Sequence, residues 1–398
     1  MTTKNNIPVG YKDSAVGVIP QEWEVDRLGE ICLTFKSGTT ITSQSIKESG
    51  LYPVYGGNGL RGYTDSYTHN GDYILIGRQG ALCGNINFIR GKAYISEHAI
   101  AVQPNESNSI EFLRYKLDFW NLNRFSESSA QPGLSVEKLV RYKLAVPPME
   151  EQRKIAEILG VWDEAIEKQS RLIEKLELRK RALMQCLLTG RTRLSGFTTP
   201  WQKVKLGEIG NFDKGAGVPK EKIVSEGCKA ITYGEIYTKY DYVIKDFASY
   251  IDSDTAQTSK QISTGAILFA GSGETLEDIG KCVAFIDNDK AYAGGDIIIF
   301  NPSIEVDSLV LSYILNSPVA IAQKRRYGQG HSVVHIYQKD LARIEFELPS
   351  LPEQKAIAEV LTAADNEIAI HHKKLEALRL QKRGLMQQLL TGKTRVKI

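Results

Sequence analysis

A chain of 398 residues with 42% hydrophobic and 24% charged residues has room for two or three domains with sizeable cores, and its composition excludes a disordered or fibrous protein. No apolar run approaches the ~18 residues of a membrane span, and the polar start MTTKNNIPVGYKDS lacks the apolar core of a secretory leader. A net charge of +3 excludes a broadly basic surface, so any nucleic-acid contact needs a localised patch or a partner that adds charge. The five cysteines, Cys32, Cys83, Cys186, Cys228 and Cys282, stand singly with no CxxC pair, which points away from a zinc cluster or disulfide framework and towards a reducing cytoplasm.

Taken in order, the chain repeats itself. EWEVDRLGEI (Glu22–Ile31) opens a first variable region, residues 1–148, with a strand–turn–strand pattern. A first helical segment follows over residues 149–193. PWQKVKLGEI (Pro200–Ile209) echoes the opening in a second variable region, 194–350, and a second helical segment fills 351–398. The helical segments align without a gap: 23 of the 47 positions in Pro147–Arg193 are identical in Pro349–Arg395 at an offset of 202. The variable regions share little, although GDYILIGRQGALCGNINFI (Gly71–Ile89) loosely parallels GAILFAGSGETLEDIGKCVAFI (Gly265–Ile286). A duplicated framework with unlike inserts fits one geometric task performed on two different targets.

Each helical segment starts at prolines (Pro147 and Pro148; Pro349 and Pro352), carries acids in its first turns, and stops at glycine (Gly190; Gly392). An apolar seam with a 3.5-residue period runs through Ile155, Leu159, Trp162, Ile166, Gln169, Ile173, Leu176, Lys180, Leu183 and Leu187. Its copy runs through Ile357, Leu361, Ala364, Ile368, His371, Leu375, Leu378, Lys382, Leu385 and Leu389. Such a seam needs a partner, and the other copy is the obvious one. The expected fold is α+β: two globular domains separated by two long helices packed as an antiparallel coiled coil with pseudo-two-fold symmetry. Pairing residues whose numbers sum to 544 sets Lys382 against Trp162, Lys180 beside Ala364, Gln169 near Leu375 and His371 near Ile173.

The variable regions carry basic and amide side chains among glycine turns. Arginine and lysine neutralise phosphates, and arginine, glutamine and asparagine pair with base edges. The candidate DNA contacts are Lys36, Arg61, Arg78, Gln79, Arg90 and Lys92 in the first region, and Lys214, Lys220, Lys281, Arg325, Arg326 and Gln329 in the second. No metal-ligand spacing is present, and no catalytic set is assembled. FAGSG (Phe269–Gly273) has the shape of an S-adenosylmethionine loop, but the Asp/Asn-Pro-Pro-aromatic box of adenine methyltransferases is missing. Glu97–His98 has no nucleophile to join it. An adenine methyltransferase acting on its own, or a coiled-coil scaffold without DNA binding, are the competing readings.

The helix openings at Pro148, Glu151, Gln152, Ile155 and Ala156, and at Glu353, Gln354, Ile357 and Ala358, with the closures Leu187–Gly190 and Leu389–Gly392, resemble the DNA specificity subunit of type I restriction–modification systems. Tyr11–Ile31 is similar to the same family. The resemblance implies a non-catalytic cytoplasmic subunit of a phage-defence complex. It implies two target-recognition domains, each reading half of a split, asymmetric DNA sequence, with the helix pair as the ruler for the gap. Two methyltransferase subunits would dock on it and bring S-adenosylmethionine, and restriction–translocase subunits would bring ATP and Mg. On that reading a change of length near Leu188–Gly190 alters the tolerated gap.

Overall fold

The computed structural model describes residues 7–80, 82–126, 133–330 and 333–398; the first six residues, Ala81, 127–132, and His331 and Ser332 of the QKRRYGQGHS stretch lie outside it. The chain divides into two compact units, Met1–Arg171 with His372–Ile398, and Leu172–His371. Each unit thus joins one variable region to part of both helical segments, where the sequence suggests four consecutive blocks.

In the first unit an antiparallel sheet has the order Cys32–Ser37, Ala99–Pro104, Tyr73–Gly77, Ile86–Ile89. Ile74, Leu75 and Ile76 are all fully buried, as expected of a strand covered on both faces. Alternation sends Ile74, Ile76, Ile100 and Val102 to a core shared with Leu113 and Leu117 of the helix Ile110–Phe119. It sends Leu75, Ala99 and Ala101 to the opposite cluster with Ile95. There a mixed sheet, Gly59–Thr64, Tyr52–Gly56, Lys92–Ile95, His69–Asn70, forms the second layer.

The second unit repeats this plan in unlike residues. Its antiparallel sheet has the order Gly210–Lys214, Ile297–Pro302, Ile267–Ala270, Cys282–Ala284. Ile267 and Phe269 face one core, and Leu268 and Ala270 the other. The two stretches that run loosely parallel in sequence therefore supply the same pair of neighbouring strands. In both units the strand within the echoed opening pairs antiparallel with the strand that precedes a long helix: Glu24–Arg27 with Lys143–Val146, and Gln202–Lys205 with Glu345–Leu348.

The helices span Met149–Leu187 and Leu351–Leu390, 39 and 40 residues long. Gly190 and Gly392 follow them at φ of +66° and +72°, the left-handed conformation that ends a helix without a Cβ penalty. Every seam position named above is buried or half-buried; Ile155, Leu159 and Leu361 are fully so. Within each unit the paired stretches run antiparallel. In the first, Glu151 meets Arg395 and Asp163 meets Lys382; in the second, Lys180 meets Asp365 and Arg193 meets Glu353. The mid-helix ion pairs join each seam lysine to the residue next to its expected neighbour. Lys382 reaches Asp163, the residue after Trp162, at 2.6 Å, and Lys180 reaches Asp365, the residue after Ala364. A half-buried ammonium is costly without a carboxylate, and the adjacent residue supplies one.

The duplicated openings are anchors. Trp23 Nε1 donates to Glu151 at 2.9 Å, and Arg395 binds the same carboxylate in a fork of 2.7 and 2.9 Å. In the second unit Trp201 Nε1 donates to Glu353 at 3.0 Å, and Arg193 forks onto it at 2.9 and 2.6 Å. Both carboxylates are inaccessible to solvent. The next residue is equally committed: Gln152 accepts from the Ser109 amide, and Gln354 from the Asp307 amide, each at 2.8 Å. Ser109 and Asp307 are the N-caps of Ile110–Phe119 and Ser308–Leu315, so each glutamine fixes a helix start that would otherwise leave a donor orphaned.

One anchor is not duplicated. Lys116, almost wholly buried, donates from Nζ to the Leu390 carbonyl at 2.5 Å, where the second long helix ends and its dipole is negative. Ile314 holds the matching place in the other half. Burial pushes the Lys116 ammonium down to about 8 from its ordinary 10.5. Above pH 8 the folded protein releases a proton that the unfolded chain keeps until about 10.5. Stability contributed by this group therefore rises with pH across that window and is flat below it. Wild type should gain about 2 kcal/mol over Lys116→Met between pH 7 and 9.5. Paired thermal melts at the two pH values measure it, and a constant difference would contradict the assignment.

Candidate nucleic-acid interface

Two glycine turns of the first unit meet backbone to backbone. A Cβ on Gly57 would lie 2.7 Å from the His98 carbonyl, and one on Gly77 would lie 2.8 Å from the Gly57 carbonyl, so neither position accepts a side chain. That approach opens a cleft of about 480 Å³ lined by Gly57, Asn58, Arg61, Gln79, Leu82 and His98. The GRQG turn is held from both sides. The Arg78 amide donates to the His98 carbonyl at 2.9 Å, and the Arg78 carbonyl accepts from Leu134 at 2.9 Å. Arg61 and Gln79 are exposed at the cleft, while Arg78 is half-buried beside it. A guanidinium, two amides and an imidazole in one open cleft can donate to and accept from base edges and phosphates. Asn58 and His98 are not among the DNA-contact candidates named above, His98 being weighed there only as an acid–base partner of Glu97. The Glu97–His98 pair lies 3.4 Å apart here, with Glu97 also accepting from the Ile41 amide.

The remaining candidates of the first region are elsewhere. Lys36 is exposed on the strand Cys32–Ser37; with burial, its charge lowers the His69 imidazole below its ordinary value. Arg90 lies 3.5 Å from Asp72 and 3.7 Å from Glu111 and stacks on Phe88. Lys92 sits 4.9 Å over the Tyr67 ring.

In the second unit Arg325 and Arg326 are exposed in the last turn of the helix Pro318–Tyr327, and Gln329 follows, joined to His335 by two backbone bonds. Lys324, between the helix and its core, is buried and donates to the Gly280 carbonyl at 2.7 Å. Lys214 and Lys220 are exposed near the strand Gly210–Lys214. Lys281 points inward: it donates to the Tyr240 carbonyl at 2.7 Å, and burial lowers its ammonium. The nearby cleft of about 240 Å³ also carries Asp241, Glu277 and Asp278, which repel phosphate. Arg325, Arg326 and Gln329 thus remain exposed candidates in this unit, as do Lys214 and Lys220, while Lys281 does not.

FAGSG is used up by its own fold. The Gly271 amide donates to the Asp296 carbonyl, Ser272–Gly273 pairs with Val334–His335, and a Cβ on Gly273 would lie 2.8 Å from the Tyr237 hydroxyl. Among the described residues no cluster of histidine, cysteine or carboxylate could hold a metal ion, and no helix is long and apolar enough to cross a membrane.

The chain is similar to proteins of a known family. The model of the type I restriction modification DNA specificity domain matches twice, over residues 20–178 and 198–380. The specificity subunit of the EcoprrI type I restriction enzyme of Escherichia coli is 42% identical over 159 residues, 38% of this chain and 39% of that one. The MjaVIII specificity subunit of Methanocaldococcus jannaschii is 26% identical across 95% of this chain and 94% of its own length. Among solved structures, the S subunit of a type I restriction–modification system from M. genitalium superposes with a TM-score of 0.62 at 16% identity, covering 98% of both chains. A chain from a type I R-M system studied for its complex assembly and conformational transition gives 0.59 at 17% identity, over 94% of this chain and 99% of that one. With two matches that between them take in both variable domains and most of both long helices, the chain belongs to the family of type I restriction–modification DNA specificity subunits.

Proposed function

We propose that each variable domain reads one half of a bipartite, asymmetric duplex DNA target and that the helix pair sets the gap between the halves. One observation carries this reading. The anchors are duplicated residue for residue, Glu151 with Trp23 and Arg395, Glu353 with Trp201 and Arg193, while the loops they support differ. Identical mounts under unlike reading surfaces suit two different half-sites. The cleft at Arg61 and Gln79 reads one, and the Arg325–Arg326–Gln329 cluster reads the other. Helices of 39 and 40 residues rise ~60 Å, enough to bridge more than one turn of duplex.

On this proposal the chain catalyses nothing itself and works in the cytoplasm inside a larger complex. S-adenosylmethionine, ATP and Mg enter with methyltransferase and restriction–translocase subunits. The modest net charge fits a reader whose affinity is completed by partners. A repeated exposed stripe supports one partner docking twice. Glu174, Leu178, Arg181 and Gln185 recur as Glu376, Leu380, Arg383 and Gln387, with Leu178 61% and Leu380 69% exposed. Packing accounts for identity at buried positions but not here. Leu178→Asp with Leu380→Asp should abolish co-purification of the methyltransferase subunits while leaving the helical signal unchanged; retained co-purification would place the docking surface elsewhere.

Gel retardation with partner subunits tests the reading itself. Duplexes with two unlike half-sites at one gap should be retarded, and either half-site alone should bind far more weakly. Equal binding of a contiguous site would overturn it.

A further inference from the structure

One aspartate in each unit ties a long helix both to the other long helix and to the domain it carries. Asp163 accepts from the Tyr115 hydroxyl at 2.5 Å and from Lys382 Nζ at 2.6 Å, with Arg114 at 3.3 Å. Lys382 also lies 5.1 Å over the Tyr115 ring. In the second unit Asp365 accepts from the Tyr313 hydroxyl and from Lys180, which stands 5.4 Å over Tyr313 and 4.8 Å over Tyr242. The aspartates correspond at the helix offset, as do the lysines. The tyrosines hold the same position in Ile110–Phe119 and Ser308–Leu315, counted from the N-caps Ser109 and Asp307.

We propose that these two clusters are register latches, and that residues 164–179 and 366–381, the stretches between them, are the ruler. This inference rests on the split-target reading above. An apolar seam alone does not fix a register, because leucines and isoleucines repack after a slip of one heptad. The latches oppose that slip. A seven-residue shift would offer Ala156 or Ser170 in place of Asp163, and Ala358 or His372 in place of Asp365. None of these is a carboxylate, and Lys180 and Lys382, only 11% and 15% exposed, would be left without counter-charge. A buried polar pair that costs some stability but excludes other registers is the best-attested use of such groups in coiled coils. Here the same carboxylate also holds a tyrosine of the reading domain, so register and domain placement are set together.

The latches also move the ruler away from the helix ends. Leu187 and Leu188 belong to the core of the second unit, and Arg193 is clamped on Glu353, so extra residues at Leu188–Gly190 would strain an anchor rather than lengthen a spacer.

The test uses the full chain with its partner subunits and duplexes whose half-sites are separated by the cognate gap or by one or two base pairs more or fewer. Lys180→Met with Lys382→Met should reduce discrimination between the cognate gap and its neighbours at least tenfold and leave half-site preference unchanged. Tyr115→Phe with Tyr313→Phe, which keeps the rings, should give a smaller loss in the same direction and decides the matter if the lysine variant does not fold. Seven residues inserted after Gln169 and again after His371 should move the preferred gap to a new sharp value. Folded variants that keep the wild-type gap preference overturn the latches and leave the split-target reading intact. A wild type indifferent to the gap overturns that reading, and the latches with it.

Discussion

Arg61→Glu, assembled with partner subunits, should bind the cognate duplex roughly 100-fold more weakly, the upper range for one arginine that reads a base. The loss should follow one half-site only. Arg61 shares its cleft with Asn58, Gln79 and His98 and makes no ion pair among the described residues, so reversal of its charge disturbs the cleft rather than the fold. Gln79→Ala should cost less and relax preference at one base, since an amide contributes hydrogen bonds without net charge. Arg325→Glu with Arg326→Glu provides the mirror experiment in the second unit, where the other half-site should suffer. Competition with duplexes scrambled in one half at a time separates the two. Equal loss at both halves would mean that Arg61 contributes only to the general field of the protein.

Glu151→Ala should lower the melting temperature by roughly 10 °C. Glu151 is wholly buried and takes three donated bonds, from Trp23 and from both nitrogens of the Arg395 fork. Its removal strands a fully buried indole N–H and leaves the Arg395 guanidinium with Glu22 as its one remaining carboxylate among the described residues. Breaking a buried pair from one side costs about 3 kcal/mol, a loss of that size in a domain of this length. Trp23→Phe should cost less, because it removes the donor together with the need for an acceptor. Glu353→Ala should lower stability in the same direction through Trp201 and Arg193. Differential scanning calorimetry of the three variants checks the order; a neutral Glu151→Ala would mean that the anchors are ornamental.

The helices, their ends and their seam were legible because periodicity and capping are local and the duplication displayed them twice. The neighbourhoods of Lys180 and Lys382 across the helix pair were legible to within a residue for the same reason. The last step depended on Asp163 and Asp365, which sit beside the seam and look like ordinary surface acids in a helix pattern. The anchors were half legible. Glu151, Gln152 and Arg395 stood out by repetition, but Tyr115 and Tyr313 lie in regions too unlike to align, at an offset that differs from that of the helices. At the proposed reading surface, Arg61 and Gln79 line one cleft because Gly57 and Gly77 allow two turns to touch, and nothing in either turn announces the other. Lys281 shows the opposite case. From sequence it is one more lysine in a glycine-rich loop, and only the carbonyls of Tyr237 and Tyr240 draw it inward.

Mapping methylated adenines in cells that carry the wild-type complex, and in cells that carry the Arg61→Glu, Gln79→Ala chain, tests the central claim most directly. The expected wild-type motif is two unlike half-sites around a fixed run of unread bases, and the variant should change or lose one half while the gap and the other half persist. A contiguous or palindromic motif, or a variant that alters both halves together, would contradict it.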